Sequence, residues 1–164
     1  MPTPSRVAII CGSRSDLPRL APCFEQLDEY GLAWEASVIS AHRQPDRLRT
    51  YVAESEEAGV AVFIAAAGMA AHLPGVVASL TARPVIGIPL AAATGGLDAL
   101  LSVAQMPSGV PVAAVAIDGA RNAAHLAARI LALADPALAA RVEAIRSAQA
   151  EKAEVRIDPR ASTP

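Results

Sequence analysis

The sequence predicts an α/β fold, one domain in which a parallel sheet carries helices on both faces. Three observations predict it. Short continuous apolar runs alternate with helical patterns along the chain. The connections between them are short, so neither a linker nor a second domain is expected, and no internal repeat is visible. The 164 residues are 53% apolar but only 3% aromatic. A sizeable core of Ala, Val, Leu and Ile follows, whose small side chains let helices sit close to a sheet.

The elements follow in order. Val7-Ala-Ile-Ile-Cys11 reads as a buried strand, ending at Gly12-Ser13. Ser15 or Asp16 then caps a helix from about Leu17 to Tyr30, and Gly31 stops it. Trp34 to Ser40 is a second strand, and Pro45 opens a helix running to about Gly59. Val60 to Ala67 is a third strand, with a helix from Pro74 to about Leu80. Pro84 to Ile88 is a fourth strand that Pro89 should end, followed by a helix from Gly95 to Val103. Pro111 to Ile117 is a fifth strand, and Asn122 to Leu133 an Ala- and Leu-rich helix. After Asp135-Pro136 a last helix carries Leu138, Val142 and Ile145 on one face. That stretch is highly charged, and its narrow stripe fits either a solvated helix on its own subunit or packing against a neighbour. The domain is expected to span residues 1–157, with 158–164 a disordered tail.

A net charge of −2 argues against nucleic acid or an anionic membrane as partner. Any anion must be held by local groups. Met1 to Arg6 is short and polar, and Val7 to Gly12 is too brief for a signal-peptide core, so a cytoplasmic protein is expected. No apolar run reaches spanning length unbroken. Cys11 and Cys23 read as reduced core thiols.

The carboxyl ends of parallel strands share one rim, where ligands bind. Gly12-Ser13-Arg14-Ser15-Asp16 follows the first strand there, leading into a helix amino end whose free N–H groups and dipole favour an anion. Ser13 and Ser15 add hydroxyls, and Asp16, the wrong charge for phosphate, suits ribose hydroxyls. The same residues also make an ordinary helix cap. Ser40-Ala41-His42-Arg43-Gln44-Pro45 follows the second strand. Arg43 can fork onto a phosphate, and His42 can both give and take a proton near neutrality. Gly68 to Gly75, including His72, follows the third strand. His72 is either a semi-buried ring bonded to a backbone carbonyl or a donor to a substrate carboxylate. The small-residue loop from Leu90 to Gly96 follows the fourth.

His125 lies mid-helix among alanines and reads as structural or exposed. The histidines are far apart, and there is no close carboxylate ligand or CxxC, so no metal site is expected. No GxSxG elbow, Walker motif or GxGxxG is present.

Several stretches in order resemble the bacterial class I aminoimidazole ribonucleotide carboxylase family, the N5-carboxyaminoimidazole ribonucleotide mutases of purine biosynthesis. They are Gly12 to Asp16, Ser40 to Arg43, Ala70 to Gly75, Pro84 to Gly87, Gly96 to Ser102, Gln105-Met106-Pro107 and Asn122 to Ala124. Each alone is unspecific, but their order and spacing across residues 6–150 are specific. The resemblance implies a three-layer αβα sandwich of flavodoxin-like type and a homo-octamer with sites near subunit boundaries. It implies a small ribonucleotide substrate and no cofactor. His42 would be the general acid/base, and Ser13, Asp16, Ser40 and Arg43 would hold the nucleotide. His72 and the backbone around Gly68 to Leu73, including Gly68, Ala70, Ala71 and Leu73, would hold the carboxylate or released CO2. Two positions depart from the family pattern: Met69 stands where a glycine is frequent, and Ser108 where Arg or Gly is common.

Two rivals share these features. The related class II carboxylase uses free CO2 and aminoimidazole ribonucleotide, but its loop differs from Ala70 to Gly75. A non-catalytic nucleotide- or flavin-binding module fits the sheet, although few aromatic residues are available to stack a flavin.

Overall fold

The computed structural model describes residues 6–92 and 94–153. In chain order the elements are β1 (Val7–Cys11), a 3-10 turn (Arg14–Asp16), α1 (Leu17–Glu29), β2 (Trp34–Val38), α2 (Pro45–Glu57), β3 (Val62–Gly68) and α3 (Leu73–Leu80). Then come β4 (Val85–Leu90), α4 (Leu97–Ala104), β5 (Ala113–Ala114), α5 (Ala120–Ala132) and α6 (Pro136–Ala153). The strands form one parallel sheet ordered β2-β1-β3-β4-β5. That is the flavodoxin-like order, with its switch point between β1 and β3.

Strand alternation builds the three layers. Val7, Ile9 and Cys11 of β1 and Val62, Ile64 and Ala66 of β3 face one side, where they pack with Leu20, Cys23 and Leu27 of α1 and the alanines of α5. Ala8, Ile10, Phe63 and Ala65 face the other, against Leu48 and Val52 of α2 and Val77 of α3. All five residues of β1 are buried. Each Val or Ile so buried contributes about 1.5–3 kcal/mol relative to an exposed side chain. A one-residue slip would exchange the two faces, so this packing also fixes the register. Gly87 of β4 lets α4 and the segment before β5 close in, since an added Cβ would collide with Val103 and Val112.

Four sequence expectations change or sharpen. The fourth strand runs through Pro89, which pairs with Ala67. The Pro89 carbonyl accepts a bond from the Asp118 N–H on the β5 side. In a parallel strand a residue's N–H and C=O share a side, so the missing donor points where the β5 ladder has stopped at Gly87–Ala114. The fifth strand is only Ala113–Ala114: it has one neighbour, Pro111 lacks a donor, and after Val115 the chain turns through Asp118 at φ +55°. Asp16 holds the N-cap position of α1 as expected but makes no side-chain cap bond there; its carboxylate instead closes a capping box on the preceding 3-10 turn, with Ser13 Oγ accepting from Ser15 N–H and Asp16 Oδ2 from Ser13 N–H. The question over the last helix resolves toward its own subunit. Leu138 is buried in the main core, with Val142 and Ile145 packed against it. Arg141 donates to the Tyr30 carbonyl at 2.9 Å, and Arg6 pairs with Asp135. The expected tail, 158–164, lies outside the described residues.

Candidate active site

The strand-end loops converge on one cleft of about 340 Å³. Its lining includes Gly12, Ser13, Ser15 and Asp16 from the first loop, Ser40, His42 and Arg43 from the second, and Gly68, Met69, Ala70, His72 and Leu73 from the third. Leu90, Ala91 and Ala92 close the far side. The cleft sits over the switch point of the sheet, where neighbouring loops diverge and leave room for a ligand.

The first two loops are tied together. Arg43 reaches across from the β2 side to donate to the Gly12 carbonyl at 3.2 Å, and its own N–H bonds Ser40 Oγ at 3.4 Å. Ser13 and Asp16 cap each other, so the plain capping role and the lining role coexist in the same residues. The Ser13 and Ser15 hydroxyls are 2.8 Å apart. Burial raises the Asp16 carboxyl above its ordinary range, while the Ser13 N–H and the Arg19 charge partly offset that.

The two histidines of the rim touch. His42 Nε2 and His72 Nδ1 are hydrogen-bonded at 2.7 Å, with the rings edge to face. One nitrogen must carry the hydrogen while the other offers a lone pair, so the bond ties the tautomer of one ring to that of the other. Both rings are solvent-exposed and line the cleft. The open reading of His72 thus gains an answer that the local sequence did not contain: its ring partner is the other histidine.

Met69 adopts φ +56°, a left-handed conformation, and is 65% exposed. A glycine at this position would be free of the strain that an L side chain carries there. Ala71 stands apart from its neighbours. Its side chain is fully buried with Ala99 and Val103, under the loop rather than on the cleft wall, so any contact it makes with a ligand is through its backbone. The loop backbone carries Ala70 and His72 past it, through bonds from Ala71 N–H to Met69 O and from His72 N–H to Ala70 O.

Outside the cleft, the His125 Nδ1 and the Tyr30 hydroxyl are hydrogen-bonded at 2.6 Å, a structural place as expected. Both thiols are buried: burial pushes Cys11 up to about 11, with Asp16 adding to it, and Cys23 up to about 12. Two residues in the cleft region escaped the sequence reading. Arg19 lines the cleft from α1 and pairs with Asp118, which lies in the turn before α5. A left-handed Asp beside Gly119 is a turn signal, but nothing in the linear sequence joins it to Arg19.

Fold and cleft together define a flavodoxin-like α/β protein whose strand-end histidines face a nucleotide-sized pocket. The family model described as AIR carboxylase matches residues 6–152. The N5-carboxyaminoimidazole ribonucleotide mutase of Thermotoga maritima is 53% identical over 139 residues, covering 84% of this chain and 81% of the relative. That of Pyrococcus horikoshii is 56% identical over 131 residues, covering 79% and 74%. Among solved structures, PurE of Treponema denticola superposes with a TM-score of 0.83 at 30% identity, covering 89% of this chain and 92% of that one. The chain belongs to the AIR carboxylase family.

Proposed function

We propose that this protein is a mutase that converts N5-carboxyaminoimidazole ribonucleotide to 4-carboxy-5-aminoimidazole ribonucleotide. The observation that carries the chemistry is the His42–His72 pair at the mouth of a cleft also lined by Ser13, Asp16 and Arg43. The similarity to relatives named as mutases favours this over the carboxylase and over a non-catalytic module.

The chemistry asks for one movable proton. The exocyclic N–C bond breaks, its electrons return to nitrogen, and the nitrogen takes a proton from His42. The released CO2 is attacked by the ring carbon, which forms the new C–C bond and gives its proton back to His42. The second proton replaces the first, so the cycle is balanced without a cofactor. His72 takes part as the hydrogen-bond partner that sets the tautomer and orientation of His42. Arg43 and the amino end after Gly12 hold the phosphate, and Asp16 the ribose. The small residues Gly68 and Ala70, with Leu73, wall the space where CO2 is held, which keeps it near the ring carbon.

The reading includes a homo-octamer with sites at subunit boundaries and a cytoplasmic location. A groove of about 630 Å³ runs from His72 past Gly75 and Leu101 to Met106 and Pro107, so a second copy seated there would reach the active site. Leu97 and Leu101 of α4 are 56% and 49% exposed, and among the described residues β5 leaves one edge unpaired. Two buried free thiols fit a reducing compartment. Sedimentation should give eight times the 16.8 kDa chain mass. A monomer that turns over at full rate would refute the shared site. For the reaction, purified protein should convert the N5-carboxy substrate without added bicarbonate. Product formed only from aminoimidazole ribonucleotide and CO2 would establish the carboxylase instead.

A further inference from the structure

The far wall of the cleft is held by a pair of residues outside the histidine rim. Arg19 donates one guanidinium N–H to the Ala91 carbonyl at 2.6 Å and another to Asp118 Oδ2 at 2.7 Å. Asp118 Oδ1 accepts the Ala91 N–H at 3.2 Å. Both polar groups of the Ala91 peptide residue are therefore taken by one ion pair, and α1, the end of β4 and the turn before α5 are locked together.

Local sequence makes this possible. The β4–β5 ladder stops at Gly87–Ala114, so Ala91 lies beyond any strand partner. Asp118 holds φ +55°, which Asp tolerates better than most residues, and its N–H is fixed on the Pro89 carbonyl at 2.8 Å. The turn thereby aims both carboxylate oxygens back at the β4 end. The wall matters to the site because it abuts Gly68: a Cβ there would lie 3.3 Å from the Leu90 carbonyl and 3.7 Å from the Ala92 Cβ.

We propose that Arg19 and Asp118 are a positioning pair that fixes the Ala91 wall against the CO2-holding segment, and so decides whether CO2 is recaptured or lost. This rests on the proposed mutase reading. When the carbamate N–C bond breaks and nitrogen is protonated, CO2 has two fates. It is captured by the ring carbon, which loses its proton, or it escapes and leaves aminoimidazole ribonucleotide. A half-exposed ion pair adds little to stability, so loss of the pair should show in this partition rather than in folding.

The test compares wild type, Arg19→Met and Asp118→Asn on N5-carboxyaminoimidazole ribonucleotide. The fraction released as aminoimidazole ribonucleotide plus CO2 is measured against the 4-carboxy product, corrected for spontaneous decarboxylation, alongside Tm. Wild type should release little. Both variants should release several-fold more at a near wild-type Tm, with Arg19→Met leaking more because it loses the bond to the Ala91 carbonyl, whereas Asp118→Asn keeps that bond and an acceptor for the Ala91 N–H. Arg19→Lys, which keeps one contact, should fall between. An active wild type with the same partition in all variants would overturn the pair's role while leaving the mutase reading intact. Folded but wholly inactive variants, or variants that fail to fold, would overturn it too, making the residues catalytic or structural. A wild type that fails to convert the substrate would sink the mutase reading first, and the proposal with it.

Discussion

His42 Nε2 lies 2.7 Å from His72 Nδ1, and the two rings cross at 88°. A proton moved by His42 is therefore felt by His72, because their bond needs one donor and one acceptor. In the proposed reaction, which gives a proton and then takes one back, this partner would keep the His42 ring aimed and in the right tautomer. An amide at position 72 can stand in for Nδ1, whereas an alanine cannot. His72→Asn should retain more kcat than His72→Ala, with both losing less than removal of His42 itself. Steady-state kinetics of the two variants check this, and equal losses would deny the hydrogen bond its role.

Arg43 spans two loops, from its own backbone bond to Ser40 Oγ to the Gly12 carbonyl. A hydrogen bond to a charged group contributes about 1.5–3 kcal/mol. Arg43→Ala should accordingly weaken ribonucleotide binding by roughly ten- to a hundredfold. Calorimetry should also show a smaller effect on the nucleoside lacking phosphate. Equal losses for nucleotide and nucleoside would remove Arg43 from phosphate recognition.

Met69 at φ +56° carries backbone strain that glycine does not. Left-handed geometry costs a non-glycine residue about 1–2 kcal/mol, against about 0.5–1 kcal/mol for glycine's greater unfolded freedom. Met69→Gly should therefore leave stability unchanged or raise it by up to about 1.5 kcal/mol, as read by urea unfolding. A clear loss would mean that the exposed Met69 side chain makes contacts that outweigh the strain.

His125 joins three helices. Tyr30 and Glu29 face it from α1, Arg121 and Arg129 from its own α5, and Gln149 from α6. Burial, then the Arg129 and Arg121 charges, lower its pKa below the ordinary histidine value, with Glu29 opposing. The folded state thus binds this proton less readily than the unfolded one. The contribution is fully present above an unfolded pKa of about 6.5 and is lost as pH falls from there through the lower folded value. Wild type should lose more Tm than His125→Gln between pH 7.5 and 5. Parallel pH profiles would contradict this.

The fold was legible where the chain is simplest. Runs such as Val7 to Cys11 and Val62 to Ala66 are buried on both faces, so burial alone wrote them as strands. The edges were less legible. Pro89 stays in its strand because its neighbour has ended, and β5 shrinks because it has one partner, both facts of pairing rather than composition. The site shows the same division. Ser13, His42, Arg43 and His72 could be found because all follow strands of one parallel sheet. The His42–His72 bond spans thirty positions, and the Arg19–Asp118 bond ninety-nine. Only packing joins them. Ala71 shows the reverse case: it shares a loop with cleft residues, yet its side chain packs into the Ala99–Val103 cluster, a placement that only packing decides.

The account stands most directly on His42 as the proton carrier. The decisive measurement is turnover of N5-carboxyaminoimidazole ribonucleotide by His42→Asn, with ribonucleotide affinity measured on the same preparation. A positioned acid/base contributes about 10²–10⁴-fold. His42→Asn should lose turnover by that factor with affinity nearly kept, whereas a variant turning over near the wild-type rate would show that His42 does not carry the proton.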